Sequence, residues 1–178
     1  TLVKSSAASD VYKRQIAIAE YKGPVYLRFG RPKVPNFTPI NQDFNIGKGV
    51  KLIEGSDVTI VATGHLVWEA INCAKKLKSE GISAELINIH TIKPLDKNII
   101  LDSVSKTNCI VSAEEHNVIG GLGESISSLL VKKNLSPMEF VGVEDSFGES
   151  GTPQELMKKY QLSSENIYLK CKKVISRK

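Results

Sequence analysis

From residue 46 onward, short apolar runs alternate with stretches of helical periodicity, and this alternation restricts the fold more than any other feature of the sequence. The apolar runs lie at 58–62, 84–89, 109–113 and 140–143. Repeated strand and helix units of this kind are typical of an α/β fold with a parallel sheet, and the right-handed crossover rule leaves few topologies for it. We therefore predict a three-layer sandwich with a mostly parallel sheet of about five strands.

Capping signals indicate where the helices of this region begin. Asp96 precedes an apolar helical pattern and predicts a helix start there. Thr152, Pro153 and Glu155 form a capping box with proline at the first helical position, which predicts a short helix. Ser163 is the predicted cap of the last helix, whose apolar stripe should dock on the sheet.

The residues before position 46 divide into three stretches. Residues 1–15 show little periodicity, and two explanations are open: a non-native leader resembling translated read-end sequence, or the frayed helix of a truncated domain. Apolar and polar residues alternate in 23–35, which predicts a strand ended by Pro32 and Pro35. Residues 36–45 are polar and turn-rich, so we predict a linker and a domain boundary near residue 45.

Composition and charge argue against several classes of protein. Hydrophobic residues make up 41% of the 178 residues and charged residues 24%, as in globular domains. The net charge of +5 comes largely from the two chain ends, and no basic stripe interleaved with aromatic residues is present, so we expect no nucleic-acid partner. No apolar stretch has membrane-spanning length, and the three cysteines are odd in number and far apart. We therefore expect a soluble, cytoplasmic protein with reduced cysteines and no membrane partner.

A glycine-rich turn precedes one predicted helix. Gly120, Gly121 and Gly123 suggest a phosphate cradle, because bare backbone N–H groups at a helix start attract anions. The dinucleotide fingerprint fails, because its third glycine would fall on Ile126. A tight turn with close helix packing is the favoured interpretation.

Acidic residues and histidines follow the predicted strands, where open α/β sheets place ligand-binding groups. Glu114, Glu115 and His116 suit acid–base chemistry, but structural or interface hydrogen bonding is the favoured role for them. His65 and His90 lie at the same expected edge; a three-histidine metal site is conceivable, but no local metal motif supports it, so we predict no metal ligands.

Two further features carry candidate interactions. Arg28 and Arg31 end an extended segment at a proline turn, which suits either bidentate phosphate binding or a surface salt bridge. The loop at 146–153 contains no nucleophile elbow, and we interpret it as a structured loop at an interface.

Five motifs together resemble the transketolase family. They are GPVYLRFGRPKVP (23–35), GSDVTIVATG (55–64), HTIKPLD (90–96), AEEHNVIGGLG (113–123) and FGESGTPQEL (147–156). Each is weak singly, but their order over residues 16–178 is specific, and the chain is most similar to the carboxy-terminal half of split transketolases. The resemblance implies that 16–45 is the end of a pyrimidine-binding domain plus linker and that 46–178 is the transketolase carboxy-terminal domain.

The family resemblance also implies an activity and its participants. These enzymes transfer a two-carbon ketol unit between sugar phosphates of the pentose phosphate pathway, using thiamine diphosphate and a divalent metal, Mg or Ca. The activating glutamate and the diphosphate motif lie upstream in the family, so no catalytic residue is assigned here and the chain alone should be inactive. Arg31 matches the family's substrate-phosphate arginine; Arg28 has no such match.

The implied partner is an amino-terminal half or subunit, in a homodimer or heterotetramer. Glu115 and His116 remain candidates for a site or an interface, and the role of Glu114 is open. Deoxyxylulose phosphate synthase and the 2-oxoacid dehydrogenase beta subunit share this domain and are alternative enzymes. A non-catalytic assembly module and an independent nucleotide-binding domain are the remaining alternatives.

Overall fold

The computed structural model describes residues 6–28, 30, 35, 37–39 and 42–178, with backbone alone for 6–11. It contains six helices and five strands within these residues. In chain order they are α1 (Ser6–Glu20), β1 (Val50–Ile53), β2 (Val58–Ala62), α2 (Leu66–Ser79), β3 (Ala84–Asn88), α3 (Lys97–Thr107), β4 (Ile110–Asn117), α4 (Leu122–Lys133), β5 (Met138–Val143), α5 (Pro153–Lys159) and α6 (Ser164–Ile175).

The five strands form one sheet in the order β1-β3-β2-β4-β5. The pairs β2–β3, β2–β4 and β4–β5 are parallel, and only β1 at the edge runs antiparallel to its neighbour. Every residue of β2 and β3 is buried, as expected for central strands covered on both faces. The predicted α/β fold with a mostly parallel sheet of about five strands is therefore confirmed.

Helices cover both faces of the sheet and enclose two apolar clusters. Helices α2 and α6 contact each other and pack on one face, while α3 and α4 pack on the other. The first cluster includes Ile60, Leu66, Leu77, Leu86, Val111, Ile167 and Cys171. The second includes Val61, Ile87, Ile100, Val104, Ile110, Leu122 and Ile126. Burial on both faces accounts for the continuous apolar runs of the central strands.

The predicted helix caps are present. The Asp96 side chain accepts a hydrogen bond from the Ile99 N–H at the start of α3. Thr152 and Glu155 complete both halves of the capping box of α5. The Ser163 side chain accepts from the Asn166 N–H at the start of α6. These local signals located the helix starts correctly because each needs only residues within one turn.

Three features before residue 58 differ from or add to the sequence-based expectations. The predicted strand in 23–35 is wrong for residues 24–28, which pair with no strand of the described chain; Tyr26 is 88% exposed. A strand needs a neighbour to satisfy its backbone groups, and alternation by itself supplies none. Strand β1 was not predicted. Helix α1 begins within the stretch 1–15, in which the sequence shows little periodicity. The two explanations of that stretch, a non-native leader or a frayed helix, stay predictions.

Two further findings concern the class of protein. No helix among the described residues is long and apolar enough to cross a membrane. Cys73, Cys109 and Cys171 are free thiols, as the sequence predicted, and all three are buried in the core.

Candidate functional site

The sheet brings two loop entries together at the carboxyl ends of β2 and β4. Ala62 and Ala113 are partners in the parallel register of these strands. The Thr63 N–H continues the ladder by donating to the Ala113 carbonyl oxygen at 3.1 Å. Residues 63–65 therefore lie beside residues 114–116, at the sheet edge where α/β proteins bind ligands.

Glu114 is buried and caps helix α4. One carboxylate oxygen accepts from the Leu122 N–H at 2.7 Å, and the other accepts from the Gly123 N–H at 2.8 Å. Burial raises the pKa of Glu114, and the two backbone donors oppose this effect by stabilising the charged form. The Glu114 carboxylate thus occupies the start of α4, where an anion could otherwise bind.

Close packing explains two of the three glycines in this turn. A Cβ on Gly121 would overlap the Glu114 carboxylate and lie 2.6 Å from the Asn117 carbonyl oxygen. A Cβ on Gly123 would overlap the Phe140 ring and lie 2.7 Å from the Ser112 hydroxyl oxygen. Gly120 adopts a positive φ of 73°, which favours glycine. These contacts support the predicted tight turn with close helix packing over a phosphate cradle.

Glu115 points in a different direction from Glu114 and pairs with His65. The His65 Nδ1 atom lies 2.6 Å from a Glu115 carboxylate oxygen; the two side chains are 15% and 42% exposed. The hydrogen bond from His65 lowers the pKa of Glu115 against the opposing effect of burial, and the charges of His65 and Arg28 lower it further. The sequence identified both residues as candidates but not their contact.

Gly30, which lies between the two candidate arginines in the sequence, contacts His65 of this pair. A Cβ on Gly30 would overlap the Cε1 and Nε2 atoms of His65, so the imidazole lies directly against the Gly30 backbone. Arg28 is exposed and acts on Glu115 electrostatically. Arg31, the predicted phosphate-binding residue, lies outside the described residues.

The other two histidines have different surroundings. The His116 Nδ1 lies 2.9 Å from the Asn117 carbonyl oxygen, to which it donates, and the side chain is exposed. His90 lies against the Phe44 ring, with ring centroids 4.4 Å apart. Within the described part of the chain, no group of three or more His, Cys, Asp or Glu side chains could hold a metal ion.

The loop at 146–153 is held by its own contacts. Tyr160 donates from its hydroxyl group to the Phe147 carbonyl oxygen at 3.0 Å, and the Lys159 ammonium group lies 2.5 Å from a Glu149 carboxylate oxygen. The Phe147 side chain is 98% exposed. The predicted interface role of this loop stays a prediction.

Comparison with known proteins places the chain in a family. Residues 47–167 match the family model described as transketolase, C-terminal domain. The 6-deoxy-6-sulfo-D-fructose transketolase subunit of Clostridium sp. (strain MSTE9) is 41% identical over 90% of this chain and 50% of its own length. A Methanocaldococcus jannaschii protein with the provisional name transketolase C-terminal section is 42% identical over 84% of this chain and 48% of its own length.

A solved structure gives the same result. The protein titled split gene transketolase, inactive beta4 tetramer, superimposes with a TM-score of 0.91 at 40% identity, covering 95% of this chain and 55% of that chain. The chain therefore belongs to the transketolase family and corresponds to its carboxy-terminal section, as the motifs predicted. It spans about half the length of the curated relatives described above.

The chain also resembles enzymes of another activity, but it covers a smaller share of their length. A 1-deoxy-D-xylulose-5-phosphate synthase of Caldanaerobacter subterraneus is 36% identical over 81% of this chain but over 24% of its own length. The comparison with split transketolases is therefore favoured over this alternative.

Proposed function

We propose that this chain is the carboxy-terminal part of a transketolase that transfers a two-carbon ketol unit from a ketose phosphate to an aldose phosphate. The observation that carries the proposal is the agreement with the split-gene transketolase over 95% of this chain. The names of the relatives support the reaction type. The site geometry agrees with it, because Gly30, the residue before Arg31 in the sequence, lies against His65 at the carboxyl edge of the sheet.

The proposal includes a partner subunit. The amino-terminal half supplies the catalytic residues, in a homodimer of whole chains or a heterotetramer of halves, and this chain alone is inactive. The relative titled an inactive beta4 tetramer supports inactivity without that half. We further propose a cytoplasmic location and, by the reaction type, a role in the pentose phosphate pathway.

The cofactor belongs mainly to parts outside this chain. Thiamine diphosphate with Mg or Ca supplies the ketol-carrying chemistry when bound. The described residues do not fit its diphosphate and metal: the helix start that could hold a diphosphate is filled by Glu114, and no metal-binding group of side chains occurs among those residues. No step of the reaction is therefore assigned to them.

Arg31 is the proposed contact to the substrate phosphate. We keep the boundaries predicted from the sequence, with 16–45 as the end of the pyrimidine-binding domain plus linker and 46–178 as the carboxy-terminal domain. The family match over 47–167 supports the second range. Glu115 and His116 have no proposed contact with substrate.

Reconstitution tests the activity. The subunit is co-expressed with the amino-terminal transketolase section from the same genome, and ketol transfer is measured with thiamine diphosphate and Mg²⁺. We expect transfer only when both sections are present. Synthesis of deoxyxylulose phosphate from pyruvate, or oxidative decarboxylation of a 2-oxoacid, would instead support one of the two alternative enzymes. Absence of complex formation and activity would reject a transketolase role.

Arg31→Ala tests the phosphate contact in the reconstituted enzyme. Removing charge-assisted hydrogen bonds should raise KM for an aldose phosphate by about 10- to 100-fold and leave KM for the unphosphorylated aldose nearly unchanged. Arg177→Ala is the matched control, because Arg177 pairs with Glu139, which lies beside the amino end of β4. An equal effect of Arg31→Ala on both aldoses would refute the phosphate contact.

A further inference from the structure

The two edges of the sheet differ in their protection against pairing with another chain. Edge strands commonly avoid such pairing by being short, by carrying a bulge or by bearing lysine. Strand β1 has all three features: it has four residues, its register shifts between Lys51 and Ile53, and it contains Lys51. Strand β5 has six residues and contains neither lysine nor proline. The edge at β5 is therefore the one that is open to an added strand.

The main-chain groups that an added strand needs are available at this edge. The Ile110 N–H donates to the carbonyl oxygen of the residue before β5 at 3.1 Å, and alternate residues of a strand face opposite edges. Met138, Phe140 and Gly142 consequently direct their main-chain groups away from β4. The Arg177 side chain donates to the Met138 carbonyl oxygen at 3.3 Å. Phe140 and Gly142 are partly exposed, and no strand of the described chain lies on that side of them.

A cavity of about 480 Å³ lies beside this edge, between β5 and α4. Val118, Ile119 and Phe140 give it an apolar lining, and Ile119 is 60% exposed. Side chains of a strand alternate between the two faces of a sheet. Every second residue of a strand added to β5 would therefore face this cavity.

The charges in the lining of the cavity are mainly negative. Glu139 and Lys170 are both in the lining and pair with each other at 3.3 Å. Glu124, Glu144 and Asp145 add three exposed carboxylates. A lysine or arginine side chain suits this combination, because its alkyl chain covers apolar residues while its charged group meets the carboxylates.

A second copy of this chain suits the edge poorly. A symmetric pair of β5 strands is antiparallel and has its twofold axis perpendicular to the sheet, so each face continues into the same face of the other copy. Glu124, Glu144 and Asp145 would then lie on the same side as their own counterparts. Because like charges across an interface repel, the charges favour a different chain as the occupant.

We propose that the open edge of β5 is a docking site for an extended segment of a partner protein in which every second residue is lysine or arginine. The segment adds to the sheet as a sixth strand. Its main chain pairs with Phe140 and Gly142, and its basic side chains enter the cavity beside Glu124, Glu144 and Asp145. The site is separate from the substrate and cofactor contacts proposed above.

Titration of the full chain with three blocked octapeptides tests the docking. The first alternates lysine with threonine, the second alternates glutamate with threonine, and the third is the lysine peptide with a methyl group on every main-chain nitrogen. We expect the lysine peptide to bind about tenfold more tightly than either of the others, because only it offers both the charge and the main-chain donors. The chain has a net charge of +5, so nonspecific attraction would favour the glutamate peptide. Equal binding of the three peptides, or tighter binding of the glutamate peptide, would overturn the proposal.

Variants of the chain test whether the cavity is the binding site. Glu144→Gln combined with Asp145→Asn removes two charges with little change of shape, and asparagine tolerates the positive φ of 34° at position 145. This double variant should bind the lysine peptide about tenfold more weakly. Glu165→Gln, at an exposed carboxylate that pairs with Lys76, is the control and should bind it like wild type. Equal affinities of the double variant and the control would contradict the assignment of the cavity.

Amide hydrogen exchange locates the bound peptide on the edge. Selective ¹⁵N labelling gives signals for 5 phenylalanines and 13 glycines. The lysine peptide should slow exchange at Phe140 and Gly142 by about tenfold and leave Gly81 unchanged. Unchanged exchange at Phe140 and Gly142 would refute strand addition. Protection of these two amides without peptide would also refute the proposal: at high protein concentration it would assign the edge to a second copy, and in the reconstituted complex it would assign the edge to the amino-terminal section.

Discussion

Replacing Glu114 with alanine should destabilise the domain more than a typical surface substitution. The variant removes both acceptors of the Leu122 and Gly123 N–H groups, which are 2.7 and 2.8 Å from the carboxylate oxygens and lie at buried residues. An unsatisfied buried donor costs about 1–3 kcal/mol, so the two together should lower the free energy of unfolding by about 2–6 kcal/mol. The glycine turn supplies no alternative side-chain acceptor.

Urea denaturation at one fixed protein concentration measures this loss. Glu114→Gln keeps one oxygen and should fall between wild type and Glu114→Ala. Glu144→Ala removes an exposed carboxylate after the next strand and should change stability by less than about 0.5 kcal/mol.

Added formate offers a check on the cause. A small carboxylate that refills the space at the start of α4 should restore part of the stability of Glu114→Ala and leave wild type unchanged. A loss below about 1 kcal/mol for Glu114→Ala, or equal losses for Glu114→Ala and Glu144→Ala, would refute the assignment of Glu114 as the essential cap of α4.

Two further predictions concern the stability of the sheet. Burial opposes ionisation of Glu85, but hydrogen bonds, chiefly from Lys106, outweigh it and lower its pKa to about 2 from 4.5. The resulting stabilisation, about 3 kcal/mol, is present above pH 4.5 and is lost as pH falls toward 2. Glu85→Gln should therefore be destabilised at pH 7 and approach wild type in acid, as measured by urea denaturation across pH. Glu144→Gln, an exposed carboxylate in the loop after β5, is the control and should stay close to wild type throughout. Gly123→Ala should cost about 1–3 kcal/mol because its Cβ would overlap Phe140, while Gly148→Ala, with open space around it, should be nearly neutral in thermal melts; equal effects would contradict the packing argument.

Local signals accounted for most of the fold after residue 46. The run at Val58–Ala62 became a fully buried central strand, and the capping box at Thr152 started a helix. Strand β1 escaped prediction because it has four residues and owes its strand conformation to antiparallel pairing with β3, more than 30 residues away. The strand predicted near Gly23 failed for the related reason that pattern does not provide a partner.

The candidate site was predictable in its residue types but not in its contacts. Glu114, Glu115, His65 and Arg28 were all marked by their positions at the ends of an apolar run or an extended segment. The contact between His65 and Glu115 joins residues 50 positions apart, and it depends on β2 and β4 being neighbours in the sheet. The capping role of Glu114 depends on the path of the glycine turn, which brings N–H groups eight and nine residues away back to the carboxylate.

The alternation of side chains along a strand explains why the two adjacent glutamates have different partners. Consecutive side chains of a strand point to opposite faces, so Glu114 and Glu115 at the end of β4 cannot serve the same partner. The Glu114 carboxylate faces the start of α4 and is used to cap that helix. Because it is buried there, it is not available to a ligand. Glu115 turns toward His65 at the start of α2 and keeps 42% of its side chain exposed. Of the two, Glu115 is therefore the residue whose carboxylate stays accessible at this edge of the sheet.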